Sequence, residues 1–369
     1  SIAWMRLKTR YAGVKSPVEL VFRDGRTVGA MTLEPDATDG AALADYPSLA
    51  TRARTVVKAN LYDPKLAASK PIDEYFDDVT LAAGGATDDL EFIFGGALAA
   101  RKHLKFNVPL MYRRPDLAAA GRAGVRIDDM MSPARVQFDE KTRIATLRFD
   151  AFLDPTTVDG AFAEAISKAP AGIIIDLRTS AGVELTSLRA AQWVLDSEHE
   201  CGWLFGPGAR ERFLAFASSK EGAAGFAPEA KSVTLQEASD YGRLEALLEA
   251  EGAAKVVVAP LAGGYRGPVA VLTSRRTTST AEQLAWLLRD SGRTRVFGET
   301  TAGRPLLTRE ADIGAGWVVR VAKFDFLTAK GERLGGKGLP ADVPTSADAA
   351  AAAAIAEIQA VLRHAIAED

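Results

Sequence analysis

Apolar residues first fall into two short strand-like runs, Val18-Glu19-Leu20-Val21-Phe22 and Thr27 to Leu33. Asp24-Gly25 lies between them, a dipeptide that tolerates the positive φ angles of a tight hairpin, so residues 1–45 read as a small β unit. From Tyr46 the spacing becomes helical: Leu49, Ala53, Val56 and Val57 share one face, then Ile72, Tyr75, Phe76 and Val79, then Leu90, Ile93, Phe94 and Leu98. This predicts a helical segment over 46–111, broken at Asp63-Pro64 and Gly84-Gly85. Residues 112–140, rich in Arg, Pro, Gly and Ala, read as a connection and a domain boundary.

Beyond it strands and helices alternate, which predicts an α/β layered core over 141–369. The expected order is strand 144–149, helix near 158–168, strand 172–177, helix near 185–195, strand 269–273 and helix 281–288. Ile173-Ile174-Ile175 has no alternation, as expected of a strand covered on both faces, with Asp176 and Arg178 paired at its carboxyl end. The alanine-rich tail continues into Ile355, Ile358, Val361 and Leu362, the spacing of a terminal amphipathic helix.

Composition narrows the function by exclusion. Hydrophobic residues are 47% and charged residues 25% of the 369, ordinary values for a folded globular chain. A net charge of −3 supplies no broad basic footprint for nucleic acid, and no apolar run is long enough for membrane insertion. The single cysteine, Cys201, allows no intramolecular disulfide. The three histidines stand in no metal-ligand spacing, and the glycines form no nucleotide loop, so neither metal nor cofactor is expected. The first residues lack the basic-then-apolar layout of a secretion signal.

The segment richest in chemistry is Gly267 to Glu282, a buried strand, a polar turn and a helix start that carries Ser279. A hydroxyl there sits beside the free N–H groups and positive dipole end of a helix, which favour an oxyanion. The alternative reading is a capping box, in which Ser279 and Glu282 only satisfy orphan N–H groups.

Three blocks, in order over residues 144–345, resemble peptidase family S41. They are Tyr265 to Gly303 around Thr278-Ser279-Thr280-Ala281-Glu282; Ala171 to Gly182, with Ile173-Ile174-Ile175-Asp176-Leu177-Arg178; and Gly331 to Val343, with Gly338-Leu339-Pro340-Ala341-Asp342. The family includes the C-terminal processing or tail-specific proteases and the tricorn core. The resemblance implies a ClpP/crotonase-like α/β core and a serine endopeptidase acting on protein or peptide substrates without cofactor, in a bacterial periplasm or cell envelope. Residues 1–45 are too short for the PDZ domain that relatives commonly carry.

By motif position the resemblance makes Ser279 the nucleophile and the backbone N–H groups of Gly182 and Thr280 the oxyanion hole. One branch of the family uses a lysine base. Arg304 occupies that place, and a guanidinium stays protonated, so the histidine-using branch is the better match. It implies His103 as the base, although Arg101-Lys102 replaces the usual Asp-Gly before it. The acid that would orient the histidine falls on Gly335, leaving Glu282 and Glu332 as accessory candidates, and Val183 replaces a loop glycine. Arg304, Gly335 and Val183 together suggest the rival reading, a catalytically silent relative that binds peptide or serves as a scaffold. A crotonase-like acyl-thioester enzyme is a third reading, which gives no reason for Ser279.

Overall fold

The computed structural model describes residues 16–21, 27–33, 44–86, 88–104, 110–113, 134–152, 154–182, 185–217 and 231–368. Strands β1 (Ser16–Val21) and β2 (Thr27–Leu33) pair antiparallel as a two-stranded sheet; the Asp24-Gly25 turn between them lies outside the described residues.

Four helices follow: α1 (Tyr46–Asn60), α2 (Pro64–Ala67), α3 (Lys70–Gly85) and α4 (Asp89–His103). Asp63 caps α2 by accepting the N–H groups of Lys65 and Leu66, and Pro64 at the first helical position has no N–H to satisfy. Asp88 likewise caps α4, and Arg101, Lys102 and His103 fill its last turn, the end favourable to positive charge.

Strands β3 (Leu110–Arg113) and β4 (Ala134–Asp139) stand at the two ends of the stretch expected to be a connection, of which 114–133 lie outside the described residues. β3 pairs with the long strand β13, and β4 forms the antiparallel edge beside β5. The signal for β4 was present: Arg135, Gln137 and Asp139 alternate with Val136 and Phe138, the period of a half-buried strand.

The α/β core then runs β5 (Ile144–Phe149), α5 (Pro155–Ser167), β6 (Gly172–Asp176), α6 (Leu188–Val194), β7 (His199–Phe205), α7 (Arg210–Ala217), β8 (Lys231–Thr234), α8 (Leu235–Ser239), α9 (Tyr241–Glu251) and β9 (Ala253–Val258). It continues with β10 (Val269–Thr273), α10 (Thr280–Asp290), β11 (Thr294–Gly298), β12 (Leu307–Gly314), β13 (Trp317–Thr328), β14 (Val343–Pro344) and α11 (Ala350–Glu368). Each element expected from Ile144 to Phe149, Gly172 to Leu177, Val269 to Thr273 and Ala281 to Leu288 is present at nearly those bounds.

Two sheets result. The first has the order β14-β11-β10-β6-β5-β4, parallel except at β4. The second, β12-β13-β7-β9-β8, has no counterpart in the sequence reading. The unbroken apolar run of β6 is explained by its position. Ile173 and Ile175 enter the core shared with α5, α6, α10 and the second sheet, whereas Ile174 faces α11. α10 lies inside this core, with every residue from Thr280 to Leu288 buried.

The helical segment has no separate core. Tyr46, Phe92 and Trp317 form an aromatic cluster, with Phe92 5.2 Å from Tyr46 and 5.3 Å from Trp317 between ring centroids, and Ile313, Val319 and Val321 complete it. Strands β12 and β13 thus supply one wall of the helical layer. Among the described residues no helix is long and apolar enough to cross a membrane.

Candidate active site

β10 ends at Thr273, and the polar turn after it is fastened to the end of β6. Ser274 Oγ donates to the carbonyl of Arg178 at 2.5 Å and Thr277 Oγ1 to that of Leu177 at 2.7 Å. The Thr278 N–H donates to the carbonyl of Ser180 at 3.1 Å, so the ladder of β6 and β10 continues past the strands. This delivers Ser279 to the N-cap of a buried helix in an unusual conformation, φ 60° and ψ −136°. A side chain with a Cβ is strained there by about 1–3 kcal/mol, a cost that persists only where the surroundings over-determine the geometry.

Ser279 makes no side-chain cap bond, which decides against the capping-box reading. Its backbone is held on both sides: its N–H donates to the Arg304 carbonyl at 3.1 Å, and its carbonyl accepts the Glu282 N–H at 3.0 Å. The hydroxyl has no hydrogen-bond partner among the described residues and is half-buried.

Glu282 is fully buried, and its carboxylate gathers the loop beyond β11. Oε1 accepts from the Thr301 hydroxyl at 2.5 Å and the Gly303 N–H at 2.7 Å, and Oε2 from the Arg304 N–H at 2.7 Å. Burial pushes its carboxyl pKa up, against the opposing pull of those hydrogen bonds and of the Ser279 N–H. Sequence reasoning counted this residue as a helix cap or an acid for histidine; in the structure it anchors a loop.

Gly182 packs against the start of α10, but its N–H already donates to the Thr278 carbonyl at 3.2 Å. That bond modifies the expected oxyanion hole, in which the Gly182 N–H would face substrate. The position still demands glycine, because a Cβ would stand 2.6 Å from the Ala281 nitrogen and 2.7 Å from that of Thr280, closer still to the Thr280 hydroxyl. We expect Gly182→Ala to push the N-terminus of α10 out of place. Stability should fall by about 1–3 kcal/mol in urea unfolding, and any reactivity of Ser279 by about 10²-fold in labelling kinetics.

His103 is not joined to Ser279 in this structure. Nε2 lies 2.9 Å from Asp78 Oδ2 and Nδ1 3.5 Å from Glu74 Oε2, so both ring nitrogens face carboxylates of α3. The physical reason is local charge: α4 ends in Arg101-Lys102-His103 against the acidic face of α3, where Lys102 also binds Asp78 at 2.8 Å. Neither Glu282 nor Glu332 partners the histidine. Glu332 instead accepts from Trp286 Nε1 at 3.4 Å. His199 pairs with Asp290 at 3.0 Å. Arg304 contributes its backbone to the site, Val183 lies outside the described residues, and Asp176 and Arg178 form a bidentate pair at 2.6 and 2.8 Å.

The model of peptidase family S41 matches residues 143–345, more than half of the chain. No curated protein is a significant match. Among solved structures, a candidate peptidase from Parabacteroides merdae ATCC 43184 is 15% identical with a TM-score of 0.51, over 85% of this chain and 97% of that one. A lipoprotein from Streptococcus agalactiae is 11% identical with a TM-score of 0.51, over 86% and 97%. The tricorn protease is 10% identical with a TM-score of 0.52; the match spans 94% of this chain and 40% of the tricorn chain. At these identities the likeness is one of fold.

Proposed function

Because the chain belongs to peptidase family S41, we propose that it is a serine endopeptidase hydrolysing peptide bonds of protein or peptide substrates through an acyl-enzyme on Ser279. The observation that carries this reading is the Ser279 hydroxyl, without a hydrogen-bond partner among the described residues, on a strained helix N-cap. A serine that served only to cap α10 would need no such backbone geometry, whereas a nucleophile presented at a sharp strand-to-helix turn does.

The reaction follows from that placement. Oγ attacks the carbonyl carbon of an extended substrate strand while a base takes its proton. The tetrahedral oxyanion meets the N-terminal end of α10, with the Thr280 N–H as donor and the Gly182 N–H joining it by leaving its long bond to Thr278. Collapse expels the amine, which takes the proton back, and water then hydrolyses the ester. His103, the base assigned from sequence, can act only once one of its ring nitrogens has left its carboxylate, Asp78 or Glu74, and faces Ser279.

A second reading, a peptide-binding relative that does not hydrolyse, is favoured by two observations: an arginine stands at the lysine position, and His103 is held by carboxylates. One experiment separates the two. A fluorophosphonate probe should leave a single adduct, mapped by mass spectrometry to Ser279, and an unfolded protein substrate should be cut. Absence of both adduct and cleavage in folded protein would establish the binding-only reading. If His103→Ala reacts as fast as wild type, a different group accepts the proton.

A further inference from the structure

We infer that Glu282 is a positioning residue for Ser279, holding the nucleophile in its strained conformation through the loop 301–304; this rests on the proposed role of Ser279. Three facts carry it. Ser279 cannot keep φ 60° and ψ −136° without restraint, and its two backbone polar groups are bound by Arg304 and Glu282. Arg304 can present its carbonyl to Ser279 because the same residue's N–H, and that of Gly303, are fixed on the Glu282 carboxylate at 2.7 Å each. The carboxylate is fully buried, so no water replaces those bonds if it is lost.

A further link widens the restraint. Thr301 donates its hydroxyl to Glu282 and accepts the Leu339 N–H at 2.7 Å, while its own N–H donates to the Leu339 carbonyl at 3.1 Å. Gly336 in turn donates to the Gly303 carbonyl at 2.8 Å. One acidic side chain on the first turn of α10 therefore organises two loops distant in sequence, and both converge behind the serine. A carboxylate is required because only it offers acceptors at both oxygens. A side-chain amide at this position would turn an NH₂ toward the Gly303 or Arg304 N–H, so the variant Glu282→Gln keeps the volume and loses the clamp.

The test is the saturation kinetics of fluorophosphonate labelling, which separates the maximal rate of reaction at bound probe from probe affinity. Glu282→Gln is expected to lower the maximal rate by about 10²-fold with little change in affinity, while near-UV circular dichroism shows the tertiary packing kept. Thr301→Val, which removes the hydroxyl donor and leaves the backbone donors in place, should lower it by about 10-fold, and the double variant should fall no further than Glu282→Gln alone. Should Glu282→Gln fail to fold, Thr301→Val carries the test by itself. An adduct on wild-type Ser279 together with unchanged maximal rates in the folded variants, whatever their stability, overturns the positioning role alone. No adduct on wild type removes the nucleophile reading, and the positioning role with it.

Discussion

Ser279→Ala will abolish fluorophosphonate labelling and lower peptide hydrolysis by at least about 10⁴-fold, with no loss of fold. The fold should survive because the hydroxyl bonds to no described residue, so its removal leaves no buried partner unsatisfied. A second substitution at the same position separates strain from chemistry. Ser279→Gly will also be inactive, yet it should be more stable than wild type by about 1 kcal/mol: glycine relieves the strain of φ 60°, partly offset by its larger entropy loss on folding. Ser279→Ala keeps a Cβ in the strained region and gains nothing. Urea unfolding of the three proteins checks the order, and a glycine variant less stable than the alanine variant would show that the backbone there is relaxed.

Asp325→Ala will destabilise the protein by about 3–5 kcal/mol. Asp325 is fully buried on β13 between two guanidiniums, Arg333 at 2.9 Å and Arg210 at 3.4 Å. Arg210 also binds Asp63 at 3.0 Å and lies 5.5 Å above the ring of Tyr62, so the network ties the turn between α1 and α2 to α7 and β13. Removing the carboxylate leaves those cations facing each other across a cavity. Burial raises the carboxyl pKa above its ordinary value, outweighing the pull of Arg333, the Phe326 N–H and Arg210. The sign of the pH dependence follows. A raised folded-state pKa gives a contribution that is fully present below the unfolded value of 3.8 and lost as pH climbs through the folded one. The margin of wild type over Asp325→Asn, which does not titrate, should therefore narrow as pH rises. Urea unfolding from about pH 3 upward measures it, and a margin that widens would reverse the assigned direction.

Much of the core was legible because its signals are local. The unalternating Ile173-Ile174-Ile175 run required a strand covered on both faces, and Asp63-Pro64 marked a break in the helical pattern, where α1 ends and α2 begins. The second sheet was not legible, since its strands pair between segments as distant as His199–Phe205 and Trp317–Thr328, and nothing in either run names the other. Strand β4 was readable from the alternation of Arg135 to Asp139 but was hidden by the Pro- and Gly-rich stretch before it.

The same division runs through the candidate site. Sequence alone determined that a serine stands between an apolar strand and a helix start, that an arginine stands where the resemblance would put a lysine base, and that the net charge is only −3. Whether Ser279 caps its helix or turns away from it depends on a backbone angle that the loop beyond β11 imposes through Glu282. Likewise His103 carries the same residue type whether it meets a serine or the carboxylates of α3, and only packing selects Asp78 and Glu74. Local order is written by neighbours along the chain; the direction of a reactive side chain is decided by groups that folding brings beside it, whose hydrogen bonds and charge outweigh the local preference.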